Sequence, residues 1–290
     1  MRYAKKISNS YSLRARSRSG RVEKFSTREV YPEQRRGTRS NNNSVITIGI
    51  FDGVHKGHQA VLKKVIKEAK IAHLKSVVIT FDPHPVKVLS PGAEIPFLMS
   101  LEHRIRLIKK MGADDCLVIK FTKEFSTQSP EDFIKKVLIN KLNLKALVAG
   151  GNFLFGCKEK GGAKLLKRLS KIYGFKFYSV APLKIGGDFI SSTRIRRLIE
   201  KGDLPLASKM LGRPVTILGT VVKGKRIGRK IGFPTANIDP HHESIPPAGV
   251  YSVDAALCGK LYRGILNISA HKIIEVHIFN FKKVERVFCL

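Results

Sequence analysis

The sequence predicts an α/β fold, in which a doubly wound parallel sheet is followed by a small antiparallel β-barrel. Between residues 45 and 202, short apolar runs alternate with segments whose apolar residues recur at helical spacing, which is typical of a parallel sheet. After Gly212 only strand-like runs follow, separated by Gly, Pro and Lys, and this pattern indicates a barrel. The length of 290 residues agrees with two domains.

The individual elements are predicted from apolar periodicity. The strands predicted in the first domain cover residues 45–51, 76–81, 115–121, 146–149 and 175–180. The predicted helices cover residues 58–72, 101–111, 130–142, 163–173 and 192–200. The helix at 130 has Ser129 as its N-cap and Pro130 in its first position. The strands predicted in the second domain cover residues 216–222, 249–257, 261–268 and 273–281.

Residues 1–44 differ from the rest and are predicted to be a basic, disordered extension. They carry 12 Lys and Arg residues against three acidic residues, with no apolar period. A non-functional extension from a misassigned start is the favoured interpretation, while an organellar transit peptide and an RNA-contacting tail fit the same composition. The sequence thus predicts an α/β domain over residues 45–205 and a barrel domain over residues 206–290.

Composition and charge exclude several classes of protein. Hydrophobic residues make up 43% of the chain, which excludes wholesale disorder. No apolar run approaches the roughly 18 residues that a membrane span needs. The net charge of +32 favours a polyanionic partner, such as nucleic acid, anionic lipid or a phosphorylated small molecule. The scattered cysteines indicate a reduced, cytoplasmic protein without a zinc site or disulfide framework; they are Cys116, Cys157, Cys258 and Cys289.

The segment from Gly49 to His58, GIFDGVHKGH, joins the first predicted strand to the first predicted helix. Its glycines allow a tight turn, and the helix N-terminus favours an anion. His55 and His58 are three residues apart and share one face of the first turn, where two imidazoles can donate hydrogen bonds to phosphate oxygens. Zinc is the alternative ligand, but no third ligand is suitably spaced. The segment therefore predicts a phosphate site.

This segment resembles the H-x-G-H signature of the nucleotidylyl-transferase superfamily. The longer string is similar to the adenylyltransferase half of the bacterial bifunctional riboflavin kinase/FAD synthetases. Further stretches resemble that family in the same order, namely TFDPHP (80–85), GGNFLFG (150–156), ISSTRIR (190–196), LGRP (211–214), IGFPTANI (231–238), PAGVY (247–251) and IEVHIF (274–279). The resemblance implies a Rossmann-like nucleotidylyl-transferase domain followed by a barrel similar to riboflavin kinase.

The resemblance implies that the first domain transfers AMP from ATP to FMN, giving FAD and pyrophosphate. The FMN phosphate attacks the α-phosphorus directly, so catalysis is positioning and charge neutralisation. His55 and His58 are the implied catalytic residues, with His84 as a weaker candidate. The implied nucleotide-binding and phosphate-binding residues are Gly49, Phe51, Asp52, Gly57, Asn152, Ser192, Thr193 and Arg196. Phe153 and Phe155 are expected to pack within the protein.

The resemblance implies that the second domain phosphorylates riboflavin to FMN with ATP. The basic, glycine-punctuated loop 223–229 can cradle polyphosphate. The phosphate-binding residues expected in it are Gly224, Lys225 and Gly228. Thr235 and Asn237 supply oxygen ligands suited to Mg²⁺. The resemblance makes Glu275 the general base for the flavin hydroxyl, with Asn267 as a weaker candidate.

The second domain departs from the family in two places. After Ser269 only residues 270–272 precede the last predicted strand, where the family usually has a glycine and an R-P-T segment. After Phe281 the family continues with a further strand and a C-terminal helix, whereas this sequence stops at Leu290. We therefore expect an incomplete barrel with an exposed strand edge, and weak or absent kinase activity.

Two other functions stay open. A nucleotidylyl transferase for another phosphorylated acceptor, such as phosphopantetheine or glycerol phosphate, has the first motif, but those relatives lack a second barrel. A nucleic-acid-binding protein agrees with the charge, but no aromatic–basic RNA-binding signature is present and Trp is absent. The expected small molecules are ATP, FMN and riboflavin as substrates, FAD as product and Mg²⁺ as cofactor. No membrane and no nucleic acid are required, and the oligomeric state is left open.

Overall fold

The computed structural model describes residues 15–16, 22–23, 43–92, 96–156, 161–224, 233–257, 260–281 and 287–289. The chain divides into two units. The α/β unit consists of Arg28–Val215 and His242–Pro247, and the barrel unit holds the rest of the chain. Among the described helices, none combines the length and the apolar character that crossing a membrane requires.

The α/β unit is built on a five-stranded sheet, as predicted. Two short strands that pair antiparallel, β1 (Ala15–Arg16) and β2 (Val22–Glu23), precede it in the chain. The strands of the sheet are β3 (Ser44–Ile48), β4 (Lys75–Asp82), β5 (Asp115–Lys120), β6 (Leu144–Gly150) and β7 (Lys176–Val180). All neighbouring pairs are parallel and the order is β5-β4-β3-β6-β7. The strand order therefore reverses at β3, the first strand of the sheet in the chain.

Helices cover both faces of this sheet, which makes it doubly wound. The helices are α1 (Lys56–Ile71), α2 (Pro85–Leu89), α3 (Leu101–Lys110), α4 (Lys123–Ser126), α5 (Pro130–Asp132), α6 (Ala163–Tyr173), α7 (Ser192–Glu200) and α8 (Leu204–Leu211). Val45 packs with Val61 and Val65 of α1, while Ile46 packs in a different cluster that includes Leu166 of α6. Successive residues of a strand face opposite sides, so β3 is buried on both faces.

The predicted helix 130–142 differs from its prediction in its inner part. Ser129 caps it by accepting a hydrogen bond from the backbone N–H of Asp132, and Pro130 starts it, as predicted. After α5 the helix continues as a π-helix over Phe133–Ile139. Apolar spacing alone does not distinguish these two helix types, because both bury the same side of a short segment. The structure also contains a hairpin of β8 (Lys184–Ile185) and β9 (Asp188–Phe189), which the pattern did not predict.

The barrel unit contains a closed antiparallel barrel of six strands. The strands are β10 (Leu218–Val222), β11 (Ala236–Asp239), β12 (Gly249–Leu257), β13 (Lys260–Ile268), β14 (Ile274–Ile278) and β15 (Val287–Cys289). The exposed strand edge that we expected is not found, because the backbone of β15 pairs with both β10 and β12. Two of these strands, β11 and β15, were not predicted: they are too short for an alternating pattern to stand out.

Gly264 generates a prediction about the stability of the barrel. A Cβ at this position would collide with the carbonyl oxygen of His277 on the neighbouring strand. We expect Gly264→Ala to lower the free energy of unfolding by about 1–3 kcal/mol, because the two backbones must separate. Urea unfolding measures this change. Gly249→Ala is the matched control, since its Cβ would meet only Tyr251 at an ordinary 3.5 Å. Equal stability of the two variants would contradict the prediction.

Candidate functional site

The candidate site of the α/β unit lies at the ends of the neighbouring strands β3 and β6. In open parallel sheets, ligands bind in the crevice outside the point at which the strand order reverses. Loop 49–55 leaves β3 there and leads into α1. Asn152 lies in the turn that follows β6 and is exposed. The fold thus brings the segments that carry two of the predicted motifs to neighbouring strand ends.

The backbone of loop 49–55 is strained, and side chains from outside the loop hold its carbonyl oxygens. Val54 has a φ angle of 38°, which is rare for a β-branched residue. Gln59 donates through Nε2 to the carbonyl oxygen of Val54 at 2.8 Å. Arg213 donates through Nη2 to the carbonyl oxygen of Gly53 at 2.7 Å. Strained backbone of this kind persists where its surroundings fix it, and it clusters at ligand sites.

His55 and His58 stack on each other where α1 begins. Their ring centroids are 3.6 Å apart and their planes differ by 16°. His55 is the N-cap, and its Nδ1 accepts a hydrogen bond from the backbone N–H of His58 at 3.3 Å. Gly57 makes room for this ring, since a Cβ there would come within 3.1 Å of it. In the same way Gly49 makes room for the ring of Phe51, which meets His58 edge-on.

Both imidazoles are uncharged at neutral pH. Burial lowers the pKa of His55 to about 4, and the charge of Arg213 acts in the same direction. Burial lowers the pKa of His58 well below its usual value, helped by the neighbouring His55 and by Arg104. Because Nδ1 of His55 is an acceptor, its proton sits on Nε2. Each uncharged imidazole of the pair carries one N–H donor.

Asp52 ties this loop to two other segments. Its carboxylate accepts hydrogen bonds from the backbone N–H groups of Leu98 and Met99, both at 3.1 Å, and pairs with Nη2 of Arg196 at 3.2 Å. Its carbonyl oxygen accepts a hydrogen bond from the hydroxyl of Ser192 at 2.8 Å. Burial raises the pKa of Asp52, against the opposing effect of these partners. The structure thus joins three predicted site residues through their own contacts.

The start of α7 presents backbone N–H groups and polar side chains. Ser191 caps the helix by accepting a hydrogen bond from the N–H of Arg194 at 3.2 Å. Thr193, in the first turn, is exposed. The Nε atom of Arg196 is buried and has no hydrogen-bond partner within the described parts of the chain. A helix start of this composition suits an anion.

Two arginines that complete the site were missed by the sequence analysis. Arg104 of α3 is buried and donates through Nη1 to the carbonyl oxygen of Ile50 at 2.6 Å. Arg213, in the LGRP motif, holds the loop as described above. A signal for Arg104 is present in the sequence, since it lies on the same helix face as the apolar Leu101 and Ile108. An arginine on an apolar face indicates a buried partner.

The remaining predicted residues of this unit lie near the ends of β4 and β6. His84 caps α2 and stacks on Phe97, with ring centroids 5.0 Å apart. Burial lowers its pKa to about 4, together with the charges of nearby Arg and Lys side chains. Phe153 and Phe155 stack on each other and pack against the core, which confirms that they pack within the protein.

The barrel places three predicted polar residues side by side. Asn237 of β11 and Asn267 of β13 both pair in register with Glu275 of β14, which lies between them. All three are half-buried, while their neighbours along each strand are buried. They therefore form a row on the outer face of the barrel. Directly opposed residues of this kind have Cβ atoms about 5 Å apart.

The phosphate-binding loop expected in the barrel unit is described only in part. A Cβ at Gly224 would overlap the side-chain amide of Asn237, so the glycine lets this amide lie close to the backbone. Lys225 and Gly228 lie outside the described residues. Thr235 immediately precedes β11 and is half-buried. Across the described ranges, no group of three or more His, Cys, Asp or Glu side chains is placed to hold a metal ion.

The buried histidines generate a prediction about stability and pH. The unfolded chain binds a proton on His55 below about pH 6.5. The folded chain binds it only near its lowered pKa of about 4. Stability therefore falls as the pH drops through this window. We expect urea unfolding to show a smaller loss from about pH 7 to 5 in His55→Asn, which keeps an N-cap acceptor, than in the unchanged protein. Equal losses would contradict this cause.

Comparison with known proteins gives matches over both units. The FAD synthetase family model matches residues 37–194, and the riboflavin kinase family model matches residues 211–287. A solved structure of a Streptococcus pneumoniae protein, described as a macrolide-efflux protein, has a TM-score of 0.73 and 30% identity. The match covers 86% of this chain and 84% of that chain. Its fold is therefore similar to the fold described above.

Relatives with curated names match most of the chain. A bifunctional riboflavin kinase/FMN adenylyltransferase of Buchnera aphidicola (subspecies Schizaphis graminum) is 39% identical, over 83% of this chain and 81% of its own length. Proteins of the same name are 36% identical in Haemophilus influenzae, covering 84% of both chains, and 34% identical in Escherichia coli K12, covering 81% and 78%. The motifs, the fold and these matches together place the chain in the family of bifunctional riboflavin kinase/FMN adenylyltransferases.

Proposed function

We propose that this chain makes FAD from riboflavin in two ATP-dependent steps. The barrel unit transfers the γ-phosphate of ATP to the riboflavin 5′-hydroxyl, giving FMN and ADP. The α/β unit, which extends to Val215 and not only to the expected residue 205, transfers AMP from a second ATP to FMN, giving FAD and pyrophosphate. The observation that carries the proposal is the stacked, uncharged pair of His55 and His58 at the start of α1, next to the reversal of strand order.

In the adenylyl transfer, a phosphate oxygen of FMN forms a bond to the α-phosphorus of ATP, and the bond to pyrophosphate breaks. No protein nucleophile is needed, so the protein supplies donors for the charge that develops. We assign His55, His58 and the N–H groups at the start of α1 to the α-phosphate region. Thr193 and Arg196, at the start of α7, suit the leaving pyrophosphate.

The other predicted nucleotide-binding residues have supporting roles in this proposal. Gly49 and Gly57 leave space for the rings of Phe51 and His55. Asp52 and Ser192 act through the contacts that connect loop 49–55 to α7. The other predicted residue, Asn152, follows the neighbouring strand and is exposed, which suits a direct contact with the nucleotide or the flavin phosphate.

In the kinase reaction, Glu275 takes the proton of the riboflavin hydroxyl as that oxygen attacks the γ-phosphorus. The residues assigned to phosphate binding are Gly224, Lys225 and Gly228. Thr235 and Asn237 fit Mg²⁺, because they supply a hydroxyl and an amide oxygen, the oxygen donors that this ion prefers, and Asn237 pairs in register with Glu275. When bound, Mg²⁺ would neutralise charge on the ATP phosphates.

We extend the proposal to the binding partners of the protein and to its location in the cell. The substrates are small molecules, and neither reaction requires nucleic acid. We propose a cytoplasmic location, because Cys116 is a buried free thiol, as is typical of reducing compartments. Burial raises the pKa of this thiol to about 11, so it is chemically quiet.

Two variants separate the two reactions. We expect His58→Ala to lower the rate of FAD formation from FMN by about 10²-fold, the usual effect of losing one transition-state donor, without changing riboflavin phosphorylation. We expect Glu275→Gln to have the opposite selectivity. Each variant is the control of the other, and flavin fluorescence and chromatography measure both reactions. If FMN and ATP give no FAD with the unchanged protein, the proposed function is wrong.

The turn between β13 and β14 generates a prediction about the kinase. The backbone N–H of Ser269 donates to the carbonyl oxygen of Ile273 at 2.9 Å, so residues 270–272 form a tight turn where the family has a longer connection. We expect riboflavin phosphorylation to be at least about tenfold slower than FAD formation, because misplacing reacting groups is costly. Initial rates of both reactions at saturating substrate measure this. Robust riboflavin turnover at a matching rate would contradict it.

A further inference from the structure

Arg104 is a buried cation that the mechanism above does not use. It lies on α3 and is only 5% exposed. Its neighbours Ile105 and Ile108 pack in the apolar cluster that also contains Phe51 and Leu62. A charged side chain is rarely buried to this degree unless it is held by specific partners, since desolvation of the charge is costly. Its position therefore requires an explanation beyond packing.

The guanidinium of Arg104 holds the backbone at the end of β3. Its Nη1 donates to the carbonyl oxygen of Ile50 at 2.6 Å and reaches Oγ1 of Thr80 at 3.5 Å. The Thr80 hydroxyl donates to the same carbonyl oxygen at 3.1 Å. Ile50 lies immediately before the strained part of loop 49–55. Arg104 of α3 and Thr80 of β4 thus both hold the Ile50 carbonyl oxygen, near the start of the loop.

Arg104 also acts electrostatically on His58. Its charge is among the causes that lower the pKa of His58, after burial and the neighbouring His55. The nearby carboxylates of Asp52 and Asp82 favour the charged form of Arg104, while burial opposes it. The Nε atom of Arg104 is buried without a hydrogen-bond partner in the parts of the chain that the structure describes. Part of the hydrogen-bonding capacity of the guanidinium is therefore not used by the described residues.

We propose that Arg104 is a positioning residue for adenylyl transfer, which fixes the Ile50 carbonyl and supplies a fixed positive charge that acts on His58. This inference rests on the proposed function of the α/β unit. A phosphate group bound to the neutral imidazoles would be stabilised by a fixed cation that acts on His58, because a buried charge is screened less than an exposed one. Arg104 acts through the loop and through the electrostatic field, without touching the substrate.

Three variants of the full-length protein test this proposal. Arg104→Met removes the charge and the hydrogen bonds, and Arg104→Lys keeps the charge but not the planar guanidinium. Arg106→Met is the matched control on the same helix, because Arg106 pairs only with Glu102 at the surface in the described contacts. Two quantities are measured: kcat for FAD formation from FMN, and the pH at which the imidazole of His58 titrates in NMR spectra.

We expect Arg104→Met to lower kcat by about 10²-fold, as small misplacements of reacting groups do, and Arg104→Lys to lower it by about tenfold. The His58 titration should move to higher pH in Arg104→Met, because the cation that disfavours the imidazolium is gone. It should stay low in Arg104→Lys, and Arg106→Met should match the unchanged protein in both measurements. Besides Arg104, the causes that lower the pKa of His58 are burial and the neighbouring His55, and His55 is unchanged in all variants.

The outcomes are distinguishable. If folded Arg104→Met titrates and turns over like Arg106→Met, the proposal is wrong. If Arg104→Met does not fold, Arg104→Lys decides, since full turnover of that variant would overturn the positioning role. If the unchanged protein makes no FAD, the proposed function fails, whereas the NMR titration still reports whether Arg104 acts on His58.

Discussion

The site of the α/β unit depends on the buried carboxylate of Asp52. It accepts two backbone hydrogen bonds from the 98–99 segment and pairs with Arg196, while its carbonyl oxygen binds Ser192. One residue thus connects three segments that lie far apart in the sequence. Removing the carboxylate would leave two buried N–H groups and a guanidinium unsatisfied, and each such loss costs about 1–3 kcal/mol. Loop 49–55 and α7 are therefore positioned by one shared interaction.

A second buried carboxylate, that of Glu243, holds the same segment around residues 97–100. Glu243 accepts a hydrogen bond from the backbone N–H of Ser100 at 2.8 Å and meets Nδ1 of His103 at 3.1 Å. Ser244 donates to the carbonyl oxygen of Phe97 at 2.6 Å. Residues 242–247 thus belong structurally to the α/β unit, although strands of the barrel flank them in the sequence. A strand pattern cannot reveal such an insertion, because it consists of a few backbone and side-chain contacts.

The sequence predicted the features that depend on a few consecutive residues, and it did not predict contacts between residues that are far apart in the chain. The spacing of His55 and His58 before an amphipathic segment predicted their shared place at a helix start, since capping depends on a few consecutive residues. Alternation of strands and helices predicted the parallel sheet. By contrast, the bond from Arg104 to Ile50 joins residues 54 positions apart, and no local pattern specifies it. The pairing that closes the barrel through β15 depends in the same way on distant strands.

The histidines of the site do not supply its positive charge. Because burial lowers the pKa of both imidazoles, neither contributes a positive charge at neutral pH. A site for ATP, FMN and pyrophosphate nevertheless needs positive charge to offset that of the phosphates. Around loop 49–55 this charge comes from arginines, which keep their proton even when buried. Arg196, Arg213 and Arg104 reach it from three different segments, each held by a carboxylate or by carbonyl oxygens. In the proposed mechanism the histidines therefore orient the phosphate groups through hydrogen bonds, and the arginines supply the positive charge.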